Sequence, residues 1–299
     1  MNQTSTRRRR FPKKSLRKNH KLTSSPQLLQ EIASSKTNID LFFVALLLAF
    51  GIYHSVLYFG HQPVPHFDFN CFANLGHQLL SFQVPSSFKR VPLVGIMQVL
   101  LGHIVGGKSP DFTGGLLLNA ILHPLIAVLL WLVGRRIIGK SALWFAIIAI
   151  INPWMLQLLT EAIAEVTLLF SVLTTFYFMF RRSNLCYVFA SITTMVRYEG
   201  AALIAAAFVM DMIYCESKQQ RIRAFAYSAL ASVPLMIWMT GTLLNWQSEG
   251  PTHYLKIFSN DYKKQFSGPI ENRTGIIRNM KLLWQVGFRP LFMPPVGGG

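Results

Sequence analysis

The sequence predicts an all-α, polytopic membrane bundle of about seven spans, and three observations carry that prediction. Of its 299 residues, 52% are hydrophobic and only 14% charged, against about 25% charged in soluble domains. The apolar residues come in blocks long enough for a bilayer. A span needs roughly 20 of them at about 1.5 Å rise each, and the run from Leu41 to Gly60 supplies that length. The basic residues, in turn, fall between the blocks in a pattern that a single topology satisfies.

Residues 1–39 read as a basic tail. Nine of the 29 Lys and Arg lie between Arg7 and Lys21 and show no apolar periodicity. The tail is therefore expected to be disordered and cytoplasmic, drawn to anionic headgroups. This placement explains the net charge of +17 without a nucleic-acid partner. The first apolar block begins about 40 residues in, with no small-x-small cleavage site after it, so it reads as an uncleaved signal anchor.

A transmembrane domain is expected over 40–245, with spans near 41–60, 114–134, 141–158, 162–180, 185–196, 200–214 and 224–244. Arg135, Arg136 and Lys140 separate the second span from the third. Arg181 and Arg182 follow the fourth, and Lys218, Arg221 and Arg223 precede the seventh. Alternating crossings from a cytoplasmic N-terminus put every cluster on the cytoplasmic face. Basic clusters flank 185–214, so the chain must cross an even number of times between them. Two short helices with Arg197-Tyr198-Glu199 at the far turn satisfy this. Segments of 12–15 residues reach about 18–22 Å, less than the ≈ 30 Å core. The turn is thus expected below the outer surface, in a recess facing protein or water.

The first external loop, 61–113, holds two apolar stretches of helical spacing, 67–84 and 92–105, broken by Asn70, Asn74, His77, Gln98 and His103. Both read as amphipathic helices on the outer leaflet. Residues 246–299 are more polar and are expected to form a non-cytoplasmic C-terminal segment, after which either another span is missing or the chain simply stops. Cys71, Cys186 and Cys215 are too scattered for a disulfide framework or a zinc site and read as packing residues. His61, His66, His77, His103 and His123 lack metal-ligand spacing.

The topology brings a few charged residues to the non-cytoplasmic side. Asp68, the one acidic residue between Asp40 and Asp111, stands beside the first span, with Lys89 and Arg90 later in its loop. A general base near an anionic leaving group has this composition; so has a helix N-cap. Glu161 and Glu165 are expected to open the span at 162–180, where Glu161 suits a helix N-terminus. Glu165, one turn deeper, needs a partner, and Arg197 is the cation at that depth. The residues leave open whether Arg197 pairs with Glu165, pairs with Glu199 or holds a phosphate.

Three stretches taken in order resemble the GT-C superfamily of integral membrane glycosyltransferases. The likeness is closest to its protein O-mannosyltransferase and bacterial lipid-sugar transferase branch. The first stretch is Pro65-His66-Phe67-Asp68-Phe69-Asn70 leading to Phe88-Lys89-Arg90-Val91-Pro92-Leu93. The second runs from Leu117-Leu118-Asn119 through Gly134-Arg135-Arg136, then Asn152-Pro153, to Thr160-Glu161. The third is Thr194-Met195-Val196-Arg197-Tyr198-Glu199-Gly200, similar to that family's T-x-x-R-P-E-G turn.

The resemblance implies a polyprenyl-phosphate-linked sugar as donor, surrounding membrane lipids, and a glycan, lipid or protein as acceptor. By motif position Asp68 takes the general-base role, giving inversion at the anomeric carbon. Arg197, helped by Lys89 or Arg90, would steady the lipid phosphate, and Glu161, Glu165 and Glu199 complete the expected substrate-binding set. No cofactor is expected, and a divalent metal is left open. A bacterial plasma membrane is the expected location ahead of the endoplasmic reticulum. Asn70 stands where many relatives carry a second acid, and Tyr198 replaces the motif's proline. The alternative is a non-catalytic membrane component or lipid-binding partner derived from the same family.

Overall fold

The computed structural model describes residues 26–61 and 68–244, with 26–39 as backbone only. The expectations for residues before 26 and for 246–299 lie outside it, as do His66 and Phe67 of the loop motif. The chain divides into two compact units, Met1–Phe42 and Phe43–Gly299. In the first, 26–42 is helical backbone, so the stretch read as disordered tail contains the start of a helix.

Every regular element among the described residues is a helix. Helix α1 is Pro26–Tyr58, α2 Phe69–Leu80, α3 Leu93–Val105 and α4 Pro110–Ile137. Next come α5 (Ala142–Ile150), α6 (Pro153–Thr160), α7 (Glu165–Phe180), α8 (Leu185–Val196), α9 (Ala201–Tyr214) and α10 (Lys218–Leu244). Three helices are long and apolar enough to cross a bilayer, over Asp40–Tyr58, Pro110–Ile137 and Lys218–Leu244. Helices α5 and α6, bent by 51° at their junction, make a fourth crossing if taken as one broken span. Helices α7, α8 and α9 have 16, 12 and 14 residues, about 24, 18 and 21 Å. All three are shorter than a ≈ 30 Å core. Seven full-length spans are therefore not present among the described residues.

Local chemistry sets the breaks. Asn152 caps α6, its Oδ1 accepting the Trp154 N–H at 3.0 Å, with Pro153 at the first helical position. That is the pairing of cap and proline that starts a helix, and it interrupts the single span expected over 141–158. Because the Trp154 N–H is diverted to Asn152, the Ile150 carbonyl needs another donor. The fully buried His123 of α4 supplies it, Nε2 to O at 3.2 Å. Its Nδ1 lies 3.3 Å from the Ser55 hydroxyl and 3.2 Å from the Gly51 carbonyl of α1. One side chain thus joins α1, α4 and α5.

Helix α7 ends in a Schellman motif. The Ser183 N–H donates to the Phe178 carbonyl and the Arg182 N–H to that of Met179. The left-handed position of such a motif favours glycine. Here it is Arg182, at φ 52°, a placement costing about 1 kcal/mol. At the start of α10, Ser217 and Gln220 form a capping box, the Gln220 N–H on Ser217 Oγ and Gln220 Oε1 on the Ser217 N–H.

Helices α2 and α3, expected as interfacial helices, are integrated into the bundle. Where they cross, Gly76 and Gly95 meet backbone to backbone, a Cβ on Gly95 falling 2.1 Å from the Phe72 carbonyl oxygen. Where α3 crosses α4, Gly102 and Gly114 do the same. Small residues at such crossings let membrane helices pack closely. Cys186 is buried as expected, but Cys71 is exposed on α2.

Helix direction follows from cross-contacts. Phe43 packs on Trp131 at 6.0 Å while Gly51 meets His123, so α1 and α4 are antiparallel. Phe112 and Leu116 at the start of α4 share a core with Ala162, just ahead of α7, and Leu122 and Ile126 further along α4 share one with Leu173 of α7, so these two helices run the same way. Tyr187 of α8 bonds Asp211 of α9, and Arg182 stacks on Tyr214, closing antiparallel hairpins. One end of the bundle thus carries Arg135, Arg136, Lys140, Arg181, Arg182, Lys218, Arg221 and Arg223. Asp68, Glu165 and Arg197 lie at the other.

Candidate functional site

Two short connections and two helix ends build the site. Asp68 immediately precedes α2 but makes no side-chain cap hydrogen bond; its carboxylate instead forms an ion pair with the Arg90 guanidinium. Arg90 also lies over the Phe72 ring, 5.6 Å from its centroid, a cation–π arrangement that keeps the guanidinium beside α2. The segment carrying Lys89 and Arg90 has no regular structure of its own and is fastened from outside. Trp238 Nε1 of α10 donates to the Arg90 carbonyl at 3.1 Å, and the Tyr198 hydroxyl donates to that of Phe88 at 2.8 Å. The Phe88 ring is buried against Trp238 at 4.9 Å.

Arg197 ends α8 in an extended conformation (φ −154°, ψ 147°), which turns its side chain out of the helix register. Its guanidinium meets Glu199 in a fork, Nη2 to Oε1 at 3.1 Å and Nε to Oε2 at 3.3 Å. A remaining nitrogen, Nη1, reaches Glu165 Oε1 at 2.5 Å. The choice between Glu165 and Glu199 left open by the sequence resolves to both. The Arg197 side chain is 31% exposed and those of Glu165 and Glu199 are 38% and 44%, so the cluster lines an open recess. Ion pairs this exposed contribute only about 0–1 kcal/mol each.

Asp68, Lys89, Arg90, Glu165, Arg197 and Glu199 line a single cavity of about 230 Å³, floored by Phe72, Val91 and Val196. Glu161, expected in the same set, does not line it. Asn152-Pro153 starts a helix eight residues long, so Glu161 stands past the C-terminus of α6 rather than at the N-terminus of α7. Its carboxylate accepts from Gln157 Nε2 at 2.9 Å. Glu165 is the residue that opens α7, where its charge suits the helix dipole.

The link between α6 and α7 is held by residues the sequence reading gave no role in the site. Asn119 Nδ2 donates to the carbonyls of Leu158 at 3.0 Å and Glu161 at 2.6 Å, and Gln98 Nε2 to that of Ala162 at 2.9 Å. Both amides are 1% exposed. They anchor the wall that presents Ile163, Ala164 and Glu165 to the cavity. An amide inside an otherwise apolar helix was the available signal, since burying one without partners is costly. Tyr198 and Trp238 gave no such signal, because aromatic residues pass as core.

Chemically, the cavity offers a carboxylate held in place by a guanidinium and a second arginine clamped by two acids. The Lys89 ammonium has no ion-pair partner among the described residues. No group of three or more His, Cys, Asp and Glu capable of holding a metal ion occurs among them. Compared with protein-family models, curated proteins and solved structures, the chain matches none.

Proposed function

We propose that the chain is an integral membrane glycosyltransferase, moving a sugar from a polyprenyl phosphate to an acceptor hydroxyl on the non-cytoplasmic side. The observation that carries this reading is that Asp68 and Arg197 line one cavity at the end of the bundle opposite the basic clusters. By the positive-inside bias, that cavity opens away from the cytoplasm. In this reading α7, α8 and α9 complete a seven-span bundle as short crossings, and the recess lies where the membrane is locally thin. The cavity is smaller than the roughly 300–1,000 Å³ pockets that enclose whole ligands. A headgroup fits it, and the isoprenoid tail stays in the bilayer.

Asp68 takes the acceptor proton as the acceptor oxygen bonds to the anomeric carbon from the face opposite the phosphate. The sugar–phosphate C–O bond breaks, its electron pair leaves with the polyprenyl phosphate, and the configuration inverts. Arg90 orients the carboxylate. Arg197 releases one carboxylate to meet the charge growing on the leaving phosphate, and Lys89 adds a mobile ammonium.

The test is a panel of radiolabelled polyprenyl-phosphate sugars given to membranes containing the protein or its Asp68→Asn variant. Transfer of at least one sugar is expected, falling by roughly 10²–10⁴-fold in the variant. Full transfer by Asp68→Asn at equal expression removes the mechanism. A second reading, a non-catalytic binder of lipid phosphate, is favoured by one observation: Asp68 is already paired with Arg90. It predicts polyprenyl-phosphate binding, no transfer, and indifference to Asp68→Asn.

A further inference from the structure

At the basic end, a second cavity of about 240 Å³ lies between the α7–α8 turn and the start of α10, with Arg182, Asn184, Asp211, Gln220 and Arg223 in its wall. It shares Asn184 and Tyr227 with a groove of about 500 Å³ between α8 and α10. The groove is walled by Leu185, Val188, Ile192 and Leu230, all of them large apolar side chains left exposed. A polar cell thus continues into an apolar channel along two helices.

We infer that this pair of cavities binds an anionic phospholipid, its phosphate between Arg182 and Arg223 and one acyl chain in the groove between α8 and α10. Arg182 occupies a left-handed position that suits glycine, and its guanidinium is fixed over the Tyr214 ring at 4.3 Å. Stacking leaves the N–H edge of the guanidinium for a phosphate oxygen. Asp211 keeps its charge in the same wall, one oxygen accepting from the Tyr187 hydroxyl at 2.8 Å, so Arg182 and Arg223 together leave a net positive cell that matches a singly charged phosphodiester. Among the described residues, neither Arg182 nor Arg223 has an ion-pair partner.

Gln220 spends its carbonyl on the N–H groups of Glu216 and Ser217, so its amide nitrogen is the part left to donate. Lys218, Arg221 and Arg223 occupy the first two turns of α10, where no acid stands in the first turn. Cations there oppose the helix dipole, so helix stability does not account for them, whereas the positive-inside bias and attraction to anionic headgroups both favour them. A free phosphate would use the polar cell alone; a phospholipid uses both. The inference needs the chain to sit in a membrane and does not rest on the transferase reading.

The test is native mass spectrometry of the full chain, stripped of lipid in neutral detergent and titrated with dioleoyl phosphatidylglycerol or dioleoyl phosphatidylcholine. The phosphatidylglycerol adduct is expected to dominate, by roughly fivefold for each arginine. Arg182→Gly, whose backbone suits the turn, and Arg223→Gln, on the helix surface, should each lower that preference about fivefold with phosphatidylcholine binding unchanged. Leu230→Trp, which fills the groove, should weaken both lipids. Equal binding of the two lipids, or variants that keep the wild-type preference, would overturn the inference. So would displacement of phosphatidylglycerol by glycerol phosphate combined with indifference to Leu230→Trp, or a dimer of the lipid-free chain that Leu230→Trp abolishes.

Discussion

Replacing Gly95 with alanine adds a single methyl group, and the structure fixes what that group meets. Its Cβ would lie 2.1 Å from the Phe72 carbonyl oxygen and 3.1 Å from the Gly76 nitrogen, whereas real Cβ atoms stay beyond 3.0 Å. Both neighbours are backbone of α2, which has no rotamer to yield. Helices α2 and α3 must therefore part by about 1 Å. Forcing a methyl group into a packed crossing costs about 1–3 kcal/mol, or a fall of roughly 2–12 °C in Tm. Thermal unfolding of the purified protein in detergent, followed by tryptophan fluorescence, measures it. Gly76→Ala attacks the same crossing, its Cβ lying 2.3 Å from the Gly95 carbonyl oxygen. Once the helices have separated for one methyl group, the second costs less, so the double variant should lose less than the sum. Wild-type Tm for Gly95→Ala, or strict additivity of the pair, would refute close backbone contact between α2 and α3. The site should register the same motion, because Phe72 on α2 supports Arg90.

Two further substitutions probe the supports of the cavity. Asn119→Leu keeps the volume but strips the donor from the Leu158 and Glu161 carbonyls; a loss of about 1–3 kcal/mol is expected in denaturant unfolding, and no loss would mean that the α6–α7 link is held otherwise. Tyr198→Phe and Trp238→Phe each remove one hydrogen bond from the segment bearing Lys89 and Arg90. Tyr198→Phe should cost about 1 kcal/mol and Trp238→Phe more, since it also removes part of the ring packed on Phe88, and the pair should be non-additive by at least about 0.5 kcal/mol because both fasten one segment. Additive effects in the same unfolding assay would show that the two ties act independently.

The all-helical fold with its long apolar helices was legible because it is written in bulk properties, namely where apolar blocks begin and stop. The turn at Arg197 followed from the same count, and its half-exposed cluster agrees with a recess reached by two short helices. Glu161 was misplaced for a local reason: the Asn152-Pro153 start signal was present, but a continuous apolar run hid it. What could not be read were contacts across long stretches of chain. The Asp68–Arg90 pair closes over 22 residues, the Tyr198 tie over 110 and the Trp238 tie over 148. Composition carries no record of such closures. The packing of α2 and α3 was likewise hidden, since glycines at a crossing look the same as glycines in a loop.

The formal charges around the cavity cancel: Asp68, Glu165 and Glu199 against Lys89, Arg90 and Arg197. An incoming anion therefore finds no net surplus of positive charge, and beyond Lys89 it must share an arginine that a carboxylate already holds. Capture by exchange is a difference between two similar attractions, so it discriminates by the shape of the guest more than by its charge. The simplest way to tighten such a trap is to delete one of its acids, not to add another base.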